Sequence, residues 1–401
     1  MFDVDKFLNS STPKASKWRS FPEFNFIGGH NDEELIPIKE LEEVSKKIIL
    51  ESGKKLGKYN FTGPLGWLPL RTFITKKLNK GAKINCSEEE VLVVSGSLQA
   101  LDLVNETFLK RGDTVIAEEG CYGGSFSRFN KIGVNIEAIP LEDDGMNMSI
   151  LSKTLERLKA QNNLPRFIYT IPTIQNPTGT VMSESKRMTL IDLAIKYDLP
   201  IFEDDCYADL IWGEKRPPSI KSLDKTNRVI YCGSFSKSIA PGFRLGYLVA
   251  DWPILSRVLP FKTDAGTGAL EQMILAEFCE RHFFDHLEKL NQKLEIKSLK
   301  MCESLDKYFG SSIEYKKPIG GIFTWIEFPK NVDTSKLYNV ALKENIAINP
   351  GIEWSLDENN KHKIRLCFAN PSNEMIDQGI KKLAEVCKKE FGVPVNIANV
   401  S

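Results

Sequence analysis

Short unbroken apolar runs alternate along the chain with longer segments whose apolar positions recur at helical spacing. "VLVV" at 91–94 passes through "SGS" into "LQALDLVNETFL", and "TVIAEE" ends at a turn beginning with Gly120. "FIYTIP" ends in "TIQNPTG", "MTLIDLAIKY" precedes "LPIFEDD", and "RVIYCG" runs into "SFSKSIAPGFR". A strand without polar alternation is buried on both faces. This rhythm therefore predicts a three-layer α/β domain, a mostly parallel sheet with helices on either side. Sheets of this kind gather chemistry at the carboxyl ends of their strands. From about 286 to 310, "HLEKLNQKLEIKSLKMCESLDKYFG" repeats leucine at 287, 290, 294 and 299, which predicts a long amphipathic helix. Beyond Gly310 the texture changes: "IEYKKPIGGIFTWIEFP", "ENIAINPG" and "HKIRLCFA" predict strands of a second sheet, with helices at 334–344 and near 374–389. The chain is thus divided into a large domain at 46–289 and a smaller α+β domain at 290–401, with residues 1–45 packing beside the smaller one.

Composition narrows the function classes. The 401 residues include 53 basic and 53 acidic side chains, so no net charge favours nucleic acid or an anionic membrane as partner. The opening residues carry no apolar export signal and no run approaches the ~20 residues of a membrane span, which predicts a soluble, cytoplasmic protein. Eight dispersed cysteines resemble neither a disulfide framework nor a zinc ribbon. His282 and His286 share a helical face without the acid of a metalloprotease helix; they are read as surface histidines, and no metal is expected.

The polar residues at the strand ends carry the chemistry. Ser95, Gly96, Ser97 and Leu98 precede a helix and can offer N–H groups to a phosphate, although Ser97 can equally serve as a helix cap. Tyr122 can lay its ring over a planar group or pack in the core. "IQNPTG" brings Asn176 to a tight turn, and "IFEDDCY" sends Asp204 and Asp205 out of an apolar strand, with Tyr207 three positions after the first. Alternation puts the two aspartates on opposite sides of the backbone, so one faces a given pocket. A buried carboxylate needs a cation or donors, and Lys237 stands among Ser234, Ser236 and Ser238 with Arg244 beyond. Pyridoxal 5'-phosphate, with its aldehyde, phenolic oxygen, phosphate and protonatable ring nitrogen, meets all of these groups at once.

"NPTG", "DDCY" and "SFSKSIAPGFRLGY", in this order and spacing, resemble the class I/II pyridoxal-phosphate-dependent aminotransferases of the aspartate-aminotransferase-like fold, nearest the aromatic and 2-aminoadipate branch; the likeness runs from "FIGGHNDEELIP" at 26–37 to "IRLCFA" at 364–369. The resemblance implies that Lys237 bonds the cofactor aldehyde and works as acid and base, and that Asp204 partners the ring nitrogen. It implies that Asn176 and Tyr207 flank the phenolic oxygen and that Tyr122 stacks on the ring. Phosphate contacts are carried over to Ser97, Leu98, Ser234, Ser236 and Arg244. Arg365, Asn176 and Gly29 would bind the substrate, and Tyr59 in "GKYNFTGPLGWLPLR" would cross a homodimer interface to the partner's site. The implied reaction moves an amino group between an amino acid and a 2-oxo acid; a lyase, decarboxylase or cyclising enzyme on the same fold is the alternative. Related transcription regulators join such a domain to an N-terminal DNA-binding domain; Lys237 lies too early for one of ordinary size before it, so a regulator is not expected.

Substrate choice is less defined. His30 replaces the family's usual leucine after Gly28-Gly29 and is read either as a side-chain contact or as a surface residue. Arg19 does not match the family position that meets a distal carboxylate, while Trp18, Phe26, Trp67 and Phe323 suit a hydrophobic pocket. Aromatic, bulky aliphatic or 2-aminoadipate-like donors are expected, with 2-oxoglutarate as acceptor.

Overall fold

A computed structural model describes residues 3–8, 20–212, 215–356 and 358–396; Trp18 and Arg19 lie outside them. The large sheet has seven strands: β1 (Val91–Val94), β2 (Thr114–Glu118), β3 (Asn135–Ile139), β4 (Ile168–Thr170), β5 (Ile201–Asp204), β6 (Val229–Ser234) and β7 (Gly246–Val249). Their order is β1-β7-β6-β5-β4-β2-β3, parallel except for β7, which runs against both neighbours. The unbroken apolar runs have the predicted cause. In β1, Leu92 and Val94 enter one core with Leu101 and Val104, while Val91 and Val93 enter another with Leu70, Phe73 and Phe278. Each such side chain contributes about 1.5–3 kcal/mol by leaving water.

Helices α1 (Ile38–Ser52), α2 (Leu68–Ala82), α3 (Ser97–Phe108), α4 (Gly123–Ile132), α5 (Met148–Ala160) and α6 (Glu184–Tyr197) accompany this sheet. The smaller sheet, β8 (Glu314–Tyr315), β9 (Phe323–Glu327), β10 (Asn349–Pro350) and β11 (Lys363–Cys367), is antiparallel in the order β8-β9-β11-β10. α8 (Thr334–Lys343) and α9 (Asn373–Phe391) cover it, close to the predicted bounds. Phe24–Asn25 pairs with Ile346–Ala347, and Phe24 and Phe26 belong to the core beneath the smaller sheet.

The long helix begins earlier than its periodicity suggests. α7 spans Ala269–Tyr308, and residue 290 falls within it. Its first half buries Gln272, Met273, Leu275, Phe278 and Phe283, and burial on several sides blurs the amphipathic period that marks its second half. Two backbone seams join the sheets above the strand ends. Gly120 bridges Ser355, and Ile211 bridges Gly320, with the Gly321 N–H donating to the Leu210 carbonyl at 2.6 Å. A Cβ on Gly320 would strike the Leu210 carbonyl and the Ile174 side chain, so the second seam requires glycine there. No described helix is long and apolar enough to cross a membrane.

Candidate active site

Between the carboxyl edge of the large sheet and the open side of the smaller one lies a cavity of about 350 Å³. Gly29, Ser97, Leu98, Tyr122, Asn176, Asp204, Tyr207, Ser234, Ser236, Lys237, Arg244 and Arg365 all contribute to its wall. Every predicted site residue except Tyr59 is thereby brought together. Tyr59 is 92% exposed on this chain.

The aspartate pair separates as alternation requires. Asp204 ends β5 facing the cavity, where Tyr169 donates to its Oδ2 at 2.6 Å and Ser125 in turn donates to the Tyr169 hydroxyl at 2.8 Å. Asp205 turns away into a buried ion pair with Arg216, which also reaches the Tyr231 hydroxyl at 3.2 Å. Among the described residues no basic side chain pairs with Asp204. Burial pushes its carboxyl above the usual range, against the donors from Tyr169 and Cys206.

Lys237 follows β6, and its Nζ donates to the Gly29 carbonyl. Burial lowers its pKa to about 8, and the Arg365 and Arg244 charges push the same way. The loop that holds it is braced by Asn31, whose amide donates to the Lys237 carbonyl at 2.7 Å, and by His286, whose Nε2 lies 2.9 Å from the Ser238 carbonyl. His286 is therefore not the surface histidine expected; α7 turns it inward beneath the lysine loop, where burial lowers its pKa. His30 is half-buried beside the same lysine, with its ring against Gly28 and a side-chain hydrogen bond to Asn370.

The opposite end of the cavity is built for an anion. Gly96, not Ser97, caps α3, so the Ser97 hydroxyl is not spent on capping, and the first two residues of this twelve-residue helix, Ser97 and Leu98, line the cavity. Ser234 accepts from the Ser236 N–H at 3.1 Å, and Arg244 adopts a left-handed φ of 50°. A Cβ at Gly246 would lie 2.8 Å from the Ser97 nitrogen, and one at Gly96 would strike the Arg244 guanidinium. Missing side chains let helix end, strand and arginine converge.

Arg365 occupies an interior strand, β11, and is 3% exposed. Its Nη1 donates to Asn176 Oδ1 at 3.0 Å and its Nη2 to Asn349 Oδ1 at 2.8 Å, leaving Nε buried without a partner. Phe323 and Trp354 each hold a ring 3.7 Å from the guanidinium carbon. Asn176 also donates to the Tyr207 hydroxyl at 3.4 Å. Sequence reasoning passed over Asn31, Tyr169, Asn349 and Trp354. Only Asn31 had a signal, inside the "GGHND" segment already singled out for His30.

The donor set fits pyridoxal phosphate. A half-buried carboxylate without a described cation suits a protonated ring nitrogen, a lysine with a lowered pKa lies in the same cavity, and the helix end with Arg244 suits a phosphate dianion. The aminotransferase class I and II family matches residues 32–383. Aromatic-amino-acid aminotransferase 1 of Thermococcus litoralis is 32% identical over 92% of this chain and 88% of its own. An uncharacterised HTH-type transcriptional regulator of Bacillus subtilis, YisV, is 34% identical over 81% of this chain but only 66% of its own length. A crystal structure of Pyrococcus horikoshii kynurenine aminotransferase, in complex with PMP, superposes with a TM-score of 0.90 at 32% identity, covering 97% of this chain and 98% of that one. Cavity, donor set and likeness converge: the chain belongs to the class I and II aminotransferases.

Proposed function

We propose that Lys237 carries pyridoxal 5'-phosphate and shuttles the proton in an amino-group transfer whose substrates are anchored by Arg365. The protein is a pyridoxal-phosphate-dependent aminotransferase acting between an amino acid and a 2-oxo acid. The observation that carries the assignment of roles is the half-buried Asp204 carboxylate, free of any described cation and sharing one cavity with Lys237. When bound, the cofactor supplies an aldehyde that exchanges amines and a conjugated ring that takes up the electron pair left at the substrate α-carbon. Asp204 holds a proton on the ring nitrogen, with Tyr169 fixing its carboxylate. Lys237 Nζ, partly neutral near pH 8, would remove the substrate α-proton and return it to the cofactor carbon two bonds away. Ser97, Leu98, Ser234, Ser236 and Arg244 would grip the phosphate. Tyr122 would cover one ring face, and Asn176 and Tyr207 would flank the phenolic oxygen. Arg365 presents its fork to the substrate carboxylate, with Asn176 and Gly29 completing the contact.

Tyr59, without a role on its own chain, would reach the phosphate of a partner subunit in a homodimer. The walls formed by Ile27, Tyr122, Phe323 and Trp354 suit aromatic and bulky aliphatic donors; 2-aminoadipate-like donors and 2-oxoglutarate as acceptor rest on the family likeness alone. Borohydride reduction followed by peptide mass analysis should place the cofactor on Lys237; label on another lysine overturns the assignment. Mixing the loaded protein with single amino acids should convert the cofactor to its amine form. Release of carbon dioxide or an eliminated group without that conversion would instead support a lyase or decarboxylase on the same site.

A further inference from the structure

Two cysteines stand beside Asp204 that amino transfer does not use. The register of β5 and β6 sets Asp204 opposite Cys232, and Cys206 follows two residues beyond the strand end. A carboxylate oxygen of Asp204 and the two Sγ atoms all lie within 4.8 Å of one another. Cys206 lines the cavity, while Cys232 is buried with its Sγ 3.9 Å from the Ser97 carbonyl. Neither is in a disulfide.

Two sulfurs and a carboxylate are a soft, anionic donor set. Zn²⁺ binds thiolate at ~2.3 Å and carboxylate at ~2.0–2.2 Å, and the larger Cd²⁺ somewhat further out, so adjacent ligand atoms of a tetrahedral zinc centre lie roughly 3.5–4 Å apart, within small side-chain rotations of the present spacing. We propose that Asp204, Cys206 and Cys232 form a site for a thiophilic divalent cation, Zn²⁺ or Cd²⁺, in the cofactor-free protein, and that metal and cofactor exclude each other. The exclusion rests on the reading that Asp204 faces the cofactor's ring nitrogen. Binding is balanced by release of both thiol protons: two thiols, one carboxylate and M²⁺ give a complex of net charge −1 and two H⁺. Lys237 and Arg244 in the same cavity offset that charge. Water completes the fourth position from the cavity side. A thiophilic metal would thus hold newly folded protein out of the cofactor-loaded pool.

The test uses the full chain stripped of cofactor and titrated with Cd²⁺ in thiol-free buffer, read by sulfur-to-cadmium charge-transfer absorbance. One equivalent should bind, the band should disappear in Cys206→Ser and in Cys232→Ala, and reloading with pyridoxal phosphate should abolish it. X-ray absorption should count two sulfurs on the metal, a readout that does not depend on either variant folding. Absence of the band, its persistence in the folded Cys206→Ser protein, or an undiminished band in protein carrying cofactor on Lys237 overturns the proposal. Peptide mapping of the reduced holoenzyme judges the Lys237 assignment separately, because cadmium absorbance in the stripped protein does not depend on which lysine holds the cofactor.

Discussion

Asp204 and Asp205 are chemically identical neighbours that the pleat of one strand sends to opposite jobs. Asp204→Asn removes a charge with no ion-pair partner among the described residues, so the chain should fold while the proton-transfer half-reaction falls roughly 100- to 1,000-fold, as when a preorganised electrostatic group is lost. Rapid mixing of loaded enzyme with donor measures this, and an unchanged rate in folded Asp204→Asn would remove it from the ring nitrogen. Asp205→Asn leaves the buried Arg216 without its nearest counter-charge. Its expected cost is stability, about 3–5 kcal/mol, visible as a lowered unfolding midpoint in urea. Lys237 brings a pH dependence with a definite sign. Its pKa in the folded state is lowered to about 8 from 10.5, so in cofactor-free protein the fraction of neutral amine, and with it the rate of cofactor attachment, should climb as pH rises through 8. Between pH 8 and 10.5 the unfolded chain holds the lysine proton that the folded one has released, and folding gains from rising pH across that window. Arg365→Gln removes a cation that lowers the Lys237 pKa, and the midpoint for attachment should move upward; a midpoint that stays at 8 counts against that coupling.

At the scale of elements, the strand ends were legible because chemistry and fold leave the same trace there, an apolar run breaking into small polar residues. "NPTG", "DDCY" and "SFSKSIAPGFR" could be placed because each sits where a parallel strand must end. What surrounds Arg365 was not legible. Phe323, Trp354 and Asn349 converge from β9, β10 and the segment after it, across 43 residues of sequence from Phe323 to Arg365 with no local pattern to mark their meeting. The support of Asp204 by Tyr169 was hidden for a related reason: it crosses adjacent strands, and a tyrosine in an apolar strand reads as core. The true start of α7 was lost because a helix buried on several sides loses its period. One element-scale prediction follows from the anion end. Gly246→Ala puts a methyl 2.8 Å from the Ser97 nitrogen and 3.0 Å from the Gly233 carbonyl, which must push α3 off β7. Overpacking of this kind costs about 1–3 kcal/mol, and cofactor affinity measured by equilibrium dialysis should weaken by roughly tenfold or more. Retained affinity would show that the helix end does not grip the phosphate.

The whole molecule poses the question of what Tyr59 is for. An aromatic phenol 92% exposed on its own chain gains nothing from that position, and a homodimer would give it the partner's phosphate. Sedimentation should show a dimer, and Tyr59→Phe should weaken cofactor binding several-fold while leaving that dimer intact; a protein that sediments as a monomer with full cofactor affinity contradicts this. Within one chain, the 40 residues of α7 rise ~60 Å and belong to both halves, Phe278 and Phe283 in the core of one, Met301 and Leu305 in the core of the other. A gene divided at codon 290 would therefore yield two polypeptides, one ending and the other beginning in a severed helix with apolar side chains bared to water. Neither should stay in solution when produced alone, whereas co-production would let the stumps meet and rebuild a working enzyme from separate pieces.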